Sequence, residues 1–266
     1  MTTAGPISTA PRTGPAGRVL ALATAEVRLL VRNRTAAISS LFVPVAFGVF
    51  FAVTFDGGAA GSPGVWPVVV GLQLVLTFTM GVYITITQTV VARRQSRVLK
   101  RMRTSSLTDV GVLLATTGPA VATAAVHLAL YAVIDTLLGA PFPADPVPLV
   151  LAVVGGLAVC VTAGFATTIV TPSSERAQIT TLPLFFLMFG AAIVLPIFPV
   201  DSWWQALVLV PGAPIGQLTQ LAYVGGTWSP GLLGLPAALP ALVGLVVWPV
   251  LFGLLARRNF RWDPRA

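Results

Sequence analysis

Three polar side chains, His127, Tyr131 and Asp135, follow one another at intervals of four residues within a long apolar run. Residues four apart lie on the same face of a helix, so the three side chains are expected to form one polar stripe. Within a membrane such groups need a protein or water partner, because an unpaired charge costs roughly 2.5–3.5 kcal/mol there. The stripe predicts either a polar wall of a transport pathway or a ladder of hydrogen bonds between helices.

The remaining residue types argue against the common intramembrane enzymes. His127 is the only histidine and Cys160 the only cysteine, so the chain can form neither a His-rich or two-metal site nor an internal disulfide. A serine–histidine pair would need a serine at the depth of His127, but Ser39 and Ser40 lie near the end of another apolar run. The only lysine, Lys100, does not follow a glycine, so the phosphate-binding loop is missing. We expect no metal site, no cofactor and no ATPase motif in this chain.

The composition indicates a membrane protein. Of the 266 residues, 56% are hydrophobic and 9% are charged, whereas soluble domains carry about 25% charged residues. Crossing a bilayer core of about 30 Å takes roughly 20 apolar helical residues. Six runs meet this requirement, at 36–56, 65–91, 109–138, 147–171, 179–197 and 232–256. We predict an all-α polytopic membrane protein with six transmembrane helices.

The distribution of charge predicts how the chain crosses the membrane. All 16 lysine and arginine residues fall on one side of the six-span arrangement, and the opposite boundaries carry only acids, at Asp56, Asp135, Asp145 and Asp201. The positive-inside rule then places both termini in the cytoplasm. The net charge of +8 lies beside span ends, which fits anionic lipid headgroups better than nucleic acid. The Arg-, Ala-, Gly- and Pro-rich composition points to a bacterial protein, and so to the bacterial plasma membrane.

Three further segments flank or connect the spans. Residues 1–17 are predicted to be a disordered cytoplasmic tail and 261–266 a second cytoplasmic tail, with one membrane domain over 18–260. Residues 18–34 predict an amphipathic helix at the inner membrane surface, or alternatively a cytoplasmic extension of the first span. Its apolar sector would comprise Leu20, Ala23, Thr24, Val27, Leu30 and Val31. Residues 198–231 are rich in proline, glycine and tryptophan and predict a hairpin of two short helices in the outer leaflet.

The loop between the second and third spans has the highest density of charge. Its basic residues are Arg93, Arg94, Arg97, Lys100, Arg101 and Arg103. Val98, Leu99 and Met102 lie among them, so the segment predicts a short cytoplasmic helix with an apolar edge and a basic face. The alternative is a solvated loop that is attracted to lipid headgroups.

Taken in order, these segments resemble the membrane subunit, or permease, of ABC type-2 exporters, a class that includes bacterial drug- and antibiotic-resistance exporters. The resemblance covers residues 18–260. It lies in the entry helix EVRLLVRNRTAAISSLFVPVAFGVFF, the basic loop RRQSRVLKRMRTSSLT, the return loop TPSSERAQITTLPLFF and the outer hairpin VDSWWQALVLVPGAPIGQLTQLAYVGG. The basic loop lacks the Glu-rich start that is usual in the family.

The resemblance implies partners and roles for particular residues. Two permease chains, identical or related, would form the membrane half, and two cytoplasmic ABC ATPase subunits would bind ATP and Mg²⁺. Residues 93–106 would form the coupling helix. The residues implied in ATPase coupling are Glu26, Arg93, Arg94, Arg97, Leu99, Lys100, Arg101 and Arg103. The residues implied along the path of a hydrophobic or amphipathic substrate are Phe42, Phe47, Phe50, Phe51, Phe185, Phe186 and Phe189, with His127, Tyr131 and Asp135.

Two other functions remain compatible with the sequence. One is a secondary transporter or channel, although no intramembrane acid pair or inverted repeat is visible. The other is a membrane scaffold that transports nothing. The presence of a partner ATPase distinguishes the permease from both.

Overall fold

The structure, a computed structural model, describes residues 14–56, 64–102, 108–199, 201–260 and 262. Eleven α-helices occupy these ranges: α1 Pro15–Arg32, α2 Arg34–Asp56, α3 Trp66–Leu76, α4 Thr85–Gln95, α5 Val98–Met102, α6 Asp109–Thr116, α7 Gly118–Leu137, α8 Pro146–Thr167, α9 Ser174–Val194, α10 Ala213–Val224 and α11 Leu239–Asn259. A π-helical segment, Thr77–Ile84, joins α3 to α4. Short 3₁₀ turns lie at Leu195–Ile197, Trp203–Leu209 and Leu232–Gly234.

Five helical spans are long and apolar enough to cross a membrane: Trp66–Gln95, Asp109–Leu137, Pro146–Thr167, Ser174–Val194 and Leu239–Asn259. They correspond to the second to sixth predicted spans. The first predicted span corresponds to α2, whose apolar part, Ser40–Phe55, is shorter, although the whole helix has 23 residues. The all-α polytopic membrane fold is therefore confirmed.

Two predicted spans differ in detail from the observed helices. The last one begins at Leu239 and not at 232, because the chain first makes a 3₁₀ turn in which Leu233 has a φ of 60°. The third is broken at Thr117. Pro119 follows this break, and since proline has no N–H it cannot continue the hydrogen-bond ladder of α6.

The second span is the central helix of the bundle. In the most apolar part of this span 83% is buried inside the protein, whereas the corresponding share is 17–44% in the other four long spans. α8 packs along it in the same direction, with Gly156 against Phe78 and Gly164 against Ile86. α11 in turn packs along α8. Close approach at small residues is how membrane helices gain van der Waals contact.

The odd-numbered spans run the opposite way. On α7, His127 lies against Gly81 and Asp135 is hydrogen-bonded to Gln73, so residue numbers fall along one helix as they rise along the other. α9 likewise begins beside the end of α4. The ends of α4 and α11 and the start of α9 therefore lie together, and with α1 and α5 we call this region the basic end.

Helix α1 contacts the bundle with only part of its predicted apolar sector. Leu20 and Val31, placed in its apolar sector from sequence, are 68% and 65% exposed, and Thr24 is also exposed. Ala23 and Val27 of the same sector are partly buried, as is Glu26 outside it, where the helix packs on α6 and α7. The helix begins at Pro15 rather than at 18, and residues 1–13 of the predicted tail lie outside the described residues.

The predicted outer hairpin is present as the 3₁₀ turn Trp203–Leu209 and helix α10. Nearly every residue of α10 is buried, because the helix packs on α3, α8 and α9. A short helix can lie at membrane depth when protein surrounds it in this way.

Candidate functional site

At the basic end, a salt bridge joins α1 to the second span. Arg93 donates two hydrogen bonds to the Glu26 carboxylate, from Nη1 to Oε1 at 2.9 Å and from Nη2 to Oε2 at 2.5 Å. The side chains are 18% and 14% exposed, respectively. A two-pronged arginine–carboxylate pair of this kind fixes both position and orientation. Both residues were predicted to take part in coupling, and the structure brings them together with each other.

The neighbouring Arg94 has a different environment. It is 1% exposed, and its guanidinium donates to the carbonyls of Thr168 at 3.0 Å and Thr171 at 2.5 Å. These carbonyls follow the last turn of α8, where a cation is favoured by the helix dipole. Arg94 was implied in ATPase coupling, and because its side chain is buried, we assign it to positioning the turn between α8 and α9.

Gln95 completes the contacts of the α4 end. Its Oε1 accepts a hydrogen bond of 3.1 Å from the backbone N–H of Ser174, the first residue of α9. Ser173 caps the same helix through its own side chain, which accepts from the Arg176 N–H. Three consecutive residues, 93–95, therefore tie the second span to α1, α8 and α9 in turn.

Beyond α4 the chain turns sharply into the short helix α5. The turn passes through Arg97, which has a left-handed φ of 58°, a conformation that usually ends a helix. Leu99 is 0% exposed and packs into the main core, whereas Val98 and Arg101 are exposed. The predicted short helix is present over Val98–Met102. The side chain of Lys100 and the whole of Arg103 lie outside the described residues.

We expect the Glu26–Arg93 salt bridge to be measurable as a coupling energy. Glu26→Gln and Arg93→Gln should each lower stability by about 1 kcal/mol, and the double variant by little more than either, because the pair is partly buried and two-pronged. Apparent melting temperatures of the four proteins in one detergent give this comparison, with Arg28→Gln on the exposed side of α1 as the control. Additive losses in the double variant would show that the two side chains act separately.

The predicted polar stripe lies where α7 packs between α2 and the second span. Gln73 donates from Nε2 to Asp135 Oδ1 at 2.8 Å, and the Tyr131 hydroxyl donates to the Pro44 carbonyl of α2 at 2.5 Å. His127 is fully buried, and a Cβ added at Gly81 would lie 3.3 Å from its Nδ1. Two of the three residues therefore make hydrogen bonds between helices, as one of the two hypotheses required.

The same stripe borders the π-helical segment of the second span. Gly81, against which His127 packs, belongs to that segment. π-helical turns inside α-helices are frequently found at functional sites. Tyr131 and Asp135 also line a cavity, so the hydrogen-bonded ladder and the polar wall of a cavity are combined in one structure.

The predicted aromatic path forms a separate cluster on α2 and α9. The rings of Phe51 and Phe189 are 6.5 Å apart and connect the two helices, and Phe185 stacks on Phe189 at 5.8 Å. Phe185 is buried. The remaining predicted residues, Phe42, Phe47, Phe50 and Phe186, are exposed on the outer faces of their helices. The phenylalanines lie on α2 and α9, whereas the His127–Asp135 stripe lies on α7.

Several residues that hold these sites together could not be assigned from the sequence. Gln73 was not assigned to the stripe, although an amide inside an apolar run signals a buried partner. Gln95 gave no signal, since it lies among charged residues. The Thr168 and Thr171 carbonyls could not be found from sequence, because every residue has a carbonyl.

Comparison with known proteins adds independent information. A family model described as ABC-2 family transporter protein matches residues 58–258. That range covers the five long spans, apart from the last residue of the fifth, and leaves out α1 and α2. No curated protein matches the chain.

Proposed function

The chain belongs to the ABC-2 transporter family, and we propose that it is the permease subunit of an ABC exporter. It would move a hydrophobic or amphipathic substrate out of the cell or the inner leaflet. The energy would come from ATP, bound with Mg²⁺ on a separate cytoplasmic ATPase subunit. In this proposal the basic end faces the cytoplasm of a bacterial cell, both termini lie on that side, and the substrate is a drug, an antibiotic or a lipid-like molecule.

The contacts of residues 93–95 carry the proposal. α5 follows them directly and presents Val98 and Arg101 at the surface of the basic end. A push on α5 would act on the end of the central helix, and through it on α1, α8 and α9, because hydrogen bonds join each of them to α4. Hydrogen-bond networks and rigid helices of this kind can carry coupling between distant sites.

The aromatic cluster supports the second half of the proposal. Phe42, Phe47, Phe50 and Phe186 expose their rings on α2 and α9, the two helices that the Phe51–Phe189 contact connects. Against a second permease chain, identical or related, such faces would form an apolar passage for an apolar or amphipathic molecule. The passage would change shape when α4 moves, because α9 is tied to α4 at its first residue.

The test of coupling is retention of the ATPase. The chain would be co-expressed and purified with an ABC ATPase encoded by a neighbouring gene. Val98→Asp and Arg101→Glu should lower retention and stimulated ATP hydrolysis by about tenfold, since they change exposed contacts without touching the core. Arg258→Glu, exposed at the end of α11, is the matched control for charge. Leu99 is unsuitable, because its substitution would disturb the core.

The same preparation distinguishes the alternatives. If no ATPase is retained by the wild type, or if Val98→Asp and Arg101→Glu leave both retention and export unchanged, the coupling role is wrong. Export that survives ATP depletion and stops when the proton gradient is collapsed would identify a secondary transporter. Retention without export of any tested amphiphile would favour a scaffold.

A further inference from the structure

A cavity of about 430 Å³ lies at the end of the bundle opposite the basic end, between α3, α7 and α8. Most of its wall is aliphatic and comes from Val70, Leu74, Leu128, Leu149 and Val153. The polar part of the wall consists of Gln73, Tyr131, Asp135, Thr136 and, from α10, Tyr223. This volume is in the range of sites for small organic ligands, and a mostly apolar wall with a few polar groups is their usual form.

The cavity wall has an acid without a balancing cation. Asp135 is 7% exposed and accepts one hydrogen bond, from Gln73, at 2.8 Å. Among the described residues that line the cavity, none is lysine, arginine or histidine. An acid within a membrane span is costly unless a partner is supplied, and such residues mark functional sites. The rings of Tyr131 and Tyr223 in the same wall also favour a cation.

The cavity opens sideways between α7 and α8. Both helices pack on the second span, and their contact with each other is slight. Ala132 and Thr136 of α7 and Pro146 of α8 line the cavity and are themselves exposed. Phe142, in the connection from α7 to α8, is 89% exposed at its rim. A molecule dissolved in the bilayer could therefore enter without leaving the lipid.

We propose that this cavity binds an ammonium-bearing amphiphile that enters from the membrane. The ammonium group lies against the Asp135 carboxylate, and the apolar body lies along the gap between α7 and α8. The cavity is distinct from the aromatic cluster on α2 and α9. Its use as an entry site for cargo rests on the proposed export function, whereas binding itself requires no ATPase.

Binding can be measured on the full chain alone in phosphatidylcholine nanodiscs, with radiolabelled dodecyltrimethylammonium as the probe. We expect saturable binding above that of empty nanodiscs, competition by hexadecyltrimethylammonium and none by dodecanol. Asp135→Asn should weaken binding about tenfold or more, because it removes the charge and keeps the acceptor for Gln73. Ala132→Trp, at the exposed mouth, should lower the number of sites filled.

The control is Asp201→Asn, which removes an acid from an exposed position at the same end of the bundle and should bind as the wild type does. Wild-type affinity in Asp135→Asn together with a wild-type number of sites in Ala132→Trp, with all variants monodisperse and equally stable, would overturn the proposal, as would the absence of saturable binding. Adding phosphatidylethanolamine to the nanodiscs separates two sources. Competition identifies a lipid headgroup as the natural ligand, and its absence identifies a free amphiphile.

This assay contains no ATPase, so its result is independent of whether the permease function holds. A positive result with no ATPase retention would keep the site and remove the export role. A negative result with ATPase retention would do the reverse.

Discussion

Replacing Arg94 with methionine is expected to lower the stability of the protein by about 3 kcal/mol, because two buried carbonyls lose a charged donor. The guanidinium bonds to the Thr168 and Thr171 carbonyls, and methionine fills much of the same space without any donor. The turn between α8 and α9 would lose its attachment to the central helix. Arg94→Lys should give a smaller loss, because lysine keeps a charged donor. Some loss remains, because an ammonium lacks the planar fork that reaches both carbonyls.

The measurement is the apparent melting temperature of purified protein in one detergent or nanodisc, where such a loss corresponds to a fall of roughly 10 °C. Arg93→Met is the matched control, with the same residue change one position earlier. Arg93 is more exposed and pairs with Glu26 at the edge of the bundle, so its loss should be about 1 kcal/mol. Equal melting temperatures for Arg94→Met and the wild type would contradict the role assigned to this residue.

Replacing Gly216 with alanine is the second change with a large expected effect. A Cβ added there would lie 2.1 Å from the carbonyl oxygen of Ala192 and 2.9 Å from its carbonyl carbon. Both are backbone atoms, so α10 and α9 would have to move apart. Overpacking of this kind costs about 3 kcal/mol, more than the helix propensity that alanine gains. Pro196 explains the close contact, because proline has no N–H to donate to the Ala192 carbonyl four residues before it.

The matched control is Gly71→Ala on the other side of α10. A Cβ at Gly71 would lie 3.7 Å from the Gly216 Cα, which is an ordinary van der Waals contact. We therefore expect Gly71→Ala to leave the apparent melting temperature unchanged or slightly raised, and Gly216→Ala to lower it by roughly 10 °C. A normal melting temperature for Gly216→Ala would mean that α9 and α10 can separate at little cost.

These two substitutions remove or disturb helix contacts at opposite ends of the bundle. Arg94 joins the central helix to α8 and α9 at the basic end, and Gly216 brings α10 against α9 towards the other end. α9 also carries Phe185, Phe186 and Phe189 of the aromatic cluster. In the proposed transporter, both contacts would set how far α9 moves when the ATPase acts on α5.

Sequence alone predicted the membrane spans well, because crossing a bilayer needs a continuous apolar run and this is a local property. The second to fifth spans were placed to within a few residues of the observed helices. The last span was started too early, since Leu232–Gly234 is apolar but turns at Leu233. Apolar composition does not reveal a backbone conformation of this kind.

The face of α1 shows the limit of periodicity. The apolar sector predicted for α1 contains both kinds of position: Leu20 and Val31 are exposed, whereas Ala23 and Val27 are partly buried, as is Glu26 outside the sector. In a soluble protein an apolar face would be buried in the core. Here lipid also accommodates apolar side chains, so the sector does not tell which side contacts protein.

Arg93 and Arg94 show what the sequence determined and what it left to the tertiary structure. The two are adjacent and both are arginines, so they count equally in the charge asymmetry that predicts how the chain crosses the membrane. The positive-inside rule depends only on which span ends carry positive charge. In the structure Arg93 pairs with Glu26, and Arg94 is buried beneath the turn after α8. These contacts depend on residues 67 and 77 positions away along the chain. Asp135 likewise finds Gln73 at a separation of 62 residues. Only the packing of the helices brings such partners together, and a single sequence contains no local signal for it.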